Sequence, residues 1–332
     1  MFFERATVPF LLFFIYKIYK FNKLESTRYS RFYTPPGMYG MNEKEKQAWN
    51  ELEKAWNLVA NDRTHGAAEL LRSALQALRQ FLDNVDEADY GDIDYLMNEL
   101  ANLRNDMAGF SNCVRLLNNE SIESLIRSVT QLQEYLASSS IQIAHHAVSV
   151  IQEPAVILTN SRSSVVEQVL IALYRAGKVR RIIQLESRPA YEGRRNAERL
   201  IDCGMQVTVI PDAALGYWMH SADAVVVGAD AISANGNFLG KIGCYPIAVL
   251  AHKEGIPYYV AAERLKFVHD LADEKQANRK FSGDVIGWGV TSDRLALSNI
   301  IFEKTYGHLV TGYITEYGLQ RPPMSVLETL SF

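Results

Sequence analysis

Downstream of Pro154, short apolar runs alternate with helical stretches, and this leaves the chain few folds to choose from. AVILTN (155–160), VRRIIQLE (179–186), QVTVIPD (206–212), AVVVGAD (224–230) and IPYYVAAE (256–263) read as buried strands. Between them SSVVEQVLIALYRAG (163–177), RRNAERLIDCG (194–204), AALGYWMHSA (213–222) and PIAVLAHKEG (246–255) read as helices. Strands too apolar for a one-sided sheet, joined by helical crossovers, predict a parallel sheet with helices on both faces. Upstream, over 42–151, Trp and Leu recur at three- and four-residue spacings in EKEKQAWNELEKAWNLVA and AAELLRSALQALRQFL, and glycine and proline are nearly absent. A third long segment, SIESLIRSVTQLQEYLASSSIQIAHHAVSVIQ, opens near Ser121 and Glu123. These features predict a helical domain over 42–151 and an α/β domain over 152–332, preceded by a poorly ordered extension over 1–41.

That extension contains ATVPFLLFFIY (6–16), about eleven apolar residues, where a membrane span needs roughly twenty. The bulky, basic stretch after it offers no small-residue cleavage site. The segment is expected to precede a natural start at Met38 or Met41 of a cytoplasmic chain, the alternative being an anchor that touches a membrane. Thirty-four basic against 38 acidic side chains, net −4, give no global footprint for nucleic acid. Cys113, Cys203 and Cys244 are odd in number and widely spaced, which fits reduced thiols and offers no metal-ligand spacing. No metal and no cofactor is expected.

In open α/β sheets, ligands bind beyond the carboxyl ends of the strands. The loops there are NSRSS, ESRPAYEGRR, PDAALG, GADAISANG and VAAERLKF, richer in polar and charged side chains than turns require. NSRSS places Ser161, Arg162 and Ser163 before a helix start, where free N–H groups suit a phosphate; capping by Ser163 or Ser164 explains the same residues. Glu186 and Arg188 stand at a strand tip, and Arg suits phosphate or carboxylate, while Arg194 and Arg195 read equally well as a solvated face. Asp230 is either a turn former or a general acid–base or hydroxyl ligand. Lys241 and Lys266 suit a phosphate counter-ion, and His145 and His146 are assigned no catalytic role. Together these loops suit a small, phosphorylated, hydroxyl-rich molecule.

ESRPAYEG, VTVIPDAALGYWMHSADAVVVGADAISANG, KIG, YYVAAERLKF and VTGYITEYGLQRPP, in this order, resemble the family of translation initiation factor 2B alpha, beta and delta subunits. That family also contains ribose-1,5-bisphosphate isomerase and methylthioribose-1-phosphate isomerase. The resemblance runs over about 62–325. It implies a helical domain followed by a Rossmann-like domain, and assembly as a homodimer or larger homo-oligomer, with related subunits as a further option. The isomerases pair a cysteine with an aspartate to move hydrogen between C1 and C2 of an aldose phosphate. By resemblance the aspartate is Asp230. The cysteine stretch, THCNS-like in the isomerases, reads TNSRS here, which puts Asn160 at the histidine, Ser161 at the cysteine and Arg162 at the asparagine. The family's RGA becomes His65-Gly66-Ala67, its NKIGT becomes GKIGC, and Arg104 in LRNDMAG matches a phosphate-binding arginine.

A serine hydroxyl is a far weaker acid than a thiol, and no histidine stands beside Ser161 to activate it. The expected function is therefore a pocket for a sugar phosphate or nucleoside monophosphate in a regulatory or weakly catalytic protein. The alternatives are an aldose–ketose phosphosugar isomerase using Asp230, and an assembly subunit without ligand. In one pocket the reading places Asp230, Ser161, Glu186, Lys241 and Gly66, with Ala67, Arg104, Arg162, Ser163, Arg188 and Lys266 as further ligand contacts.

Overall fold

The computed structural model describes residues 41–62, 65–85, 90–271, 294, 295, 298 and 300–323. The expected extension lies outside the described residues as far as residue 40. The described residues fall within one compact unit.

Five helices make the amino-terminal part of the described chain: α1 (Glu43–Asn61), α2 (Ala67–Leu82), α3 (Tyr90–Asn102), α4 (Ala108–Leu116) and α5 (Ile122–Val150). α1 starts with a capping box in which Asn42 and Glu45 satisfy each other's backbone N–H groups. Its apolar stripe, Trp49, Leu52, Trp56 and Val59, is buried. The Trp56 indole donates to the Ala74 carbonyl of α2 at 3.0 Å, so a large ring is buried with its polar atom satisfied. α5 starts at Ser121, where the capping partner is Ser124.

The second part alternates β1 (Ala155–Thr159), α6 (Ser164–Arg175), β2 (Val179–Leu185), α7 (Glu192–Asp202), β3 (Val207–Ile210) and β4 (Ala224–Val227). The hairpin β5 (Ala231–Ser233) and β6 (Phe238–Lys241) follows, then α8 (Cys244–Glu254), β7 (Tyr258–Ala261), β8 (Phe267–Val268), β9 (Phe302–Thr305), β10 (Gly312–Thr315) and β11 (Gly318–Gln320). The main sheet has the order β11-β10-β7-β4-β1-β2-β3, parallel throughout except for the β10–β11 edge pair. Leaving aside β11, this is the Rossmann arrangement, in which the chain runs outward from β1 in one direction and then returns to build outward in the other.

Alternate strand residues feed two cores, as the period of a pleated strand requires. Leu158, Ile183, Val225 and Val227 meet Ile247, Ala248 and Ala251 of α8 on one face. Ile157, Ile182, Ala224 and Val226 meet α6 and the carboxy-terminal half of α5 on the other, through Ile143, Ala144, Ala147 and Ile151.

Two departures from the sequence reading have physical causes. The segment expected as one helix over 213–222 is a succession of short helical turns, since so short a run gains too few backbone hydrogen bonds to hold one continuous α-helix. GADAISANG, read as a loop, instead enters a second, four-stranded sheet of order β8-β5-β6-β9. Its strands are two to four residues long and pair with segments distant in sequence, so local periodicity hides them.

Candidate functional site

A cavity opens at the carboxyl ends of β1 and β4, the point where the strand order reverses. Gly66, Ala67, Asn160, Ser161, Arg162, Ser163, Gly228, Ala229, Asp230, Lys241, Cys244 and Lys266 line it, and it encloses about 380 Å³ counting the solvent at its mouth.

The floor is built by close backbone approach. Ser161 takes the left-handed conformation at φ 64, which costs a non-glycine residue roughly 1–2 kcal/mol. Its N–H donates to the Ser187 hydroxyl at 2.7 Å, and Gln184 donates to its carbonyl at 3.3 Å. The Ser187 hydroxyl in turn donates to Asn160 Oδ1 at 2.8 Å. Ser163 caps α6, accepting from the Val166 N–H at 3.5 Å. Gly228 lets the end of β4 lie against this cap, since a Cβ there would stand 2.9 Å from the Ser163 side chain.

Two helices point their amino termini here. Ser163 is the N-cap of α6, and Gly66 that of α2, whose lack of a side-chain oxygen leaves its first turn without a side-chain cap. Such termini carry free N–H groups and partial positive charge. Arg162 reaches Glu69 at 3.3 Å and Glu167 at 3.8 Å. Lys241 pairs with Glu192 at 2.7 Å and Lys266 with Glu263 at 3.1 Å, all four buried. Each cation is thereby held in place, and an ammonium retains further donors beyond its carboxylate partner.

Asp230 follows β4, its N–H donating to Leu239 and its carbonyl accepting from Ala108 at 3.2 Å. It keeps partial exposure through the cavity. Burial pushes its carboxyl up to about 6, helped by nearby Asp106 and opposed by Lys266, Arg104 and Lys241.

Of the residues singled out in the sequence, Asp230, Ser161, Gly66, Ala67, Arg162, Ser163, Lys241 and Lys266 thus share one cavity. Three stand outside its lining. Glu186 pairs with Arg194 at 2.6 Å, and the Arg188 guanidinium lies over the Tyr191 ring at 4.6 Å. Both belong to the tip of β2, one strand away from the point of reversal. Arg104 is buried with its guanidinium committed to Asp106 at 2.7 Å and to the Asp62 carbonyl at 3.0 Å; its charge acts on Asp230 without facing the cavity.

Sequence reasoning missed two contributors. Cys244 lines the cavity from the start of α8; its place three residues after Lys241 was the available signal. Asn112 of α4 donates to the carbonyls of Leu265 at 2.8 Å and Phe267 at 2.9 Å, fixing the turn that carries Lys266. Nothing local in the sequence joins these segments. Among the described residues no group of three or more His, Cys, Asp or Glu side chains could hold a metal ion, and no helix is long and apolar enough to cross a membrane.

The profile of the Initiation factor 2 subunit family matches residues 60–322. The chain is 27% identical to ribose 1,5-bisphosphate isomerase of Archaeoglobus fulgidus, over 83% of this chain and 92% of that protein. It is 35% identical to methylthioribose-1-phosphate isomerase of Carboxydothermus hydrogenoformans, over 55% of this chain and 58% of that one. Among solved structures it is similar to the translation initiation factor eIF-2B of Pyrococcus horikoshii OT3, with a TM-score of 0.71, 26% identity, and coverage of 85% of this chain and 98% of that chain.

Proposed function

This chain belongs to the Initiation factor 2 subunit family, and on that premise we propose that its cavity binds a phosphorylated sugar or a nucleoside monophosphate in a regulatory or weakly catalytic role. The observation that carries the reading is the meeting of the α2 and α6 amino termini with Arg162, Lys241 and Lys266 around Asp230. The helix ends and cations suit a phosphate, and Asp230 suits a sugar hydroxyl. A second reading, aldose–ketose isomerisation, is favoured by one observation: a carboxyl poised at about 6 is ionised at neutral pH and still basic enough to accept a proton. The names of the isomerase relatives agree with a phosphosugar. The exposed pair Tyr245 and Tyr306, in edge-to-face contact with ring centroids 5.7 Å apart, supports association into a homodimer or larger assembly, which light scattering on the purified chain tests.

The experiment is a thermal-shift screen with ribose 1,5-bisphosphate, ribose 5-phosphate, methylthioribose 1-phosphate, AMP and GMP. A ligand at 100 times its dissociation constant adds about 2.7 kcal/mol and raises Tm. If none of the five moves Tm, the chain is an assembly subunit and the ligand reading fails.

A further inference from the structure

We infer that Glu69 is an internal competitor for the ligand of this cavity: its carboxylate holds Arg162, and an anion that binds draws the guanidinium away from it. The inference rests on the phosphate reading above and goes further by naming what regulates the affinity of the site.

The contact joins the two parts of the chain. Glu69 is the third residue of α2, and Arg162 lies in the loop between β1 and α6. Around it the two parts touch closely. Arg72 of α2 donates to the Ser164 hydroxyl at 3.3 Å, and a Cβ on Gly66 would stand 3.6 Å from the Arg162 carbonyl. Arg162 itself lines the cavity beside Gly66 and Ala67.

The pair is poorly satisfied. Arg162 Nη1 stands 3.3 Å from Glu69 Oε2, yet that oxygen is buried and accepts no hydrogen bond. The second carboxylate near Arg162, that of Glu167, is 3.8 Å away and already accepts from Arg199 at 2.9 and 3.2 Å. A guanidinium carries its donors in a planar fork and pairs best with two oxygens side by side. A phosphate supplies them, and the present partners of Arg162 do not.

Glu69 competes at the helix end as well. It is the acidic residue in the first turn of α2, where its charge offsets the partial positive charge that a ligand would otherwise meet. Glu167 holds the matching place in α6. The Glu167 side chain is only 6% exposed and is tied to Arg199, whereas that of Glu69 is 35% exposed. Glu69 is therefore the partner that gives way. Its Oε1 already lies 3.7 Å from His65 Nε2, so the carboxylate keeps a polar neighbour when Arg162 leaves. Ligand affinity is then a difference: what Arg162 gains from the phosphate less what it loses from Glu69.

The test is a double-mutant cycle on the binding of ribose 5-phosphate, read by titration calorimetry at fixed pH and salt. Glu69→Gln removes the charge and keeps the shape. In the parent background it is expected to lower Kd roughly fivefold, the upper end for a part-exposed ion pair. In an Arg162→Gln background, with no guanidinium to release, the same change is expected to move Kd by less than about twofold. If Arg162→Gln fails to fold, Arg162→Met, which keeps the packing of the stem, takes its place. Where binding is too weak to titrate, the ligand-induced rise in Tm at one high concentration replaces Kd in every arm. A gain above about twofold in both backgrounds would show simple repulsion of the anion by Glu69 and overturns the inference. Binding by the parent with no gain in Glu69→Gln also overturns it and leaves the ligand reading standing. No binding of ribose 5-phosphate by any of the four chains overturns the inference, and if the other four screened ligands leave Tm unmoved the ligand reading falls with it.

Discussion

Asp230 ties function to stability. Its carboxyl titrates at about 6 in the folded chain against an ordinary 3.8, so folding favours the protonated form. Below about pH 4 both states are protonated and the burial is free of electrostatic cost. Between about 4 and 6 the unfolded chain ionises first, and above about 6 the full penalty, on the order of 3 kcal/mol, opposes folding. Asp230→Asn removes that charge without changing shape. Its Tm is expected to equal the parent's near pH 3.5, to rise above it between pH 4 and 6, and to exceed it by a constant few degrees at higher pH. A variant less stable than the parent at pH 8 would show that the carboxylate is stabilised by its neighbours. At this scale Asp230, Ser161 and Lys241 were legible because strand ends can be counted along the chain. Glu186 and Arg188 were misplaced because sequence identifies the rim of a sheet but not the two strands between which its crevice lies.

At the scale of elements, the cavity depends on pieces that support one another across the chain. The turn carrying Lys266 is held by Asn112 of α4, which is buried. Asn112→Ala leaves the carbonyls of Leu265 and Phe267 without this donor, and one unsatisfied buried group costs about 1–3 kcal/mol. A loss of stability of that size is expected in urea, together with weaker ligand binding as the Lys266 turn loosens. Unaltered affinity would separate Asn112 from the site. The β5–β6 hairpin illustrates what periodicity cannot reveal: it sets Asp230 and Lys241 at its two ends, yet its strands are too short to show a pattern and its outer partners, β8 and β9, lie far along the chain.

Across the whole molecule, α5 belongs to both parts. Its amino-terminal half packs with the helices, while Ile143, Ala144, Ala147 and Ile151 cover one face of the parallel sheet. Tyr135 donates to Glu316 beyond the end of β10, and His146 meets the Glu316 carbonyl at 3.2 Å. A boundary at 151 divides the composition but cuts through a shared core. A chain beginning at residue 152 is therefore expected to expose that face, bind ANS and show no cooperative thermal transition, whereas the whole chain does; a sharp transition for the shorter chain would make the helical part dispensable for folding.

What sequence alone determined is whatever depends on neighbours along the backbone. The helical periodicity of α1, α2 and α5, the apolar strands of the parallel sheet and the position of Asp230 at a strand end all follow from local sterics and from the burial of one face. Only the tertiary structure decided that the crevice lies between β1 and β4, that Arg104 turns to Asp106, and that Cys244, 83 positions after Ser161 by the numbering, lines the cavity beside it. Those outcomes turn on crossover direction, helix placement and the pairing of buried charges, which are set by contacts between segments that no local pattern records.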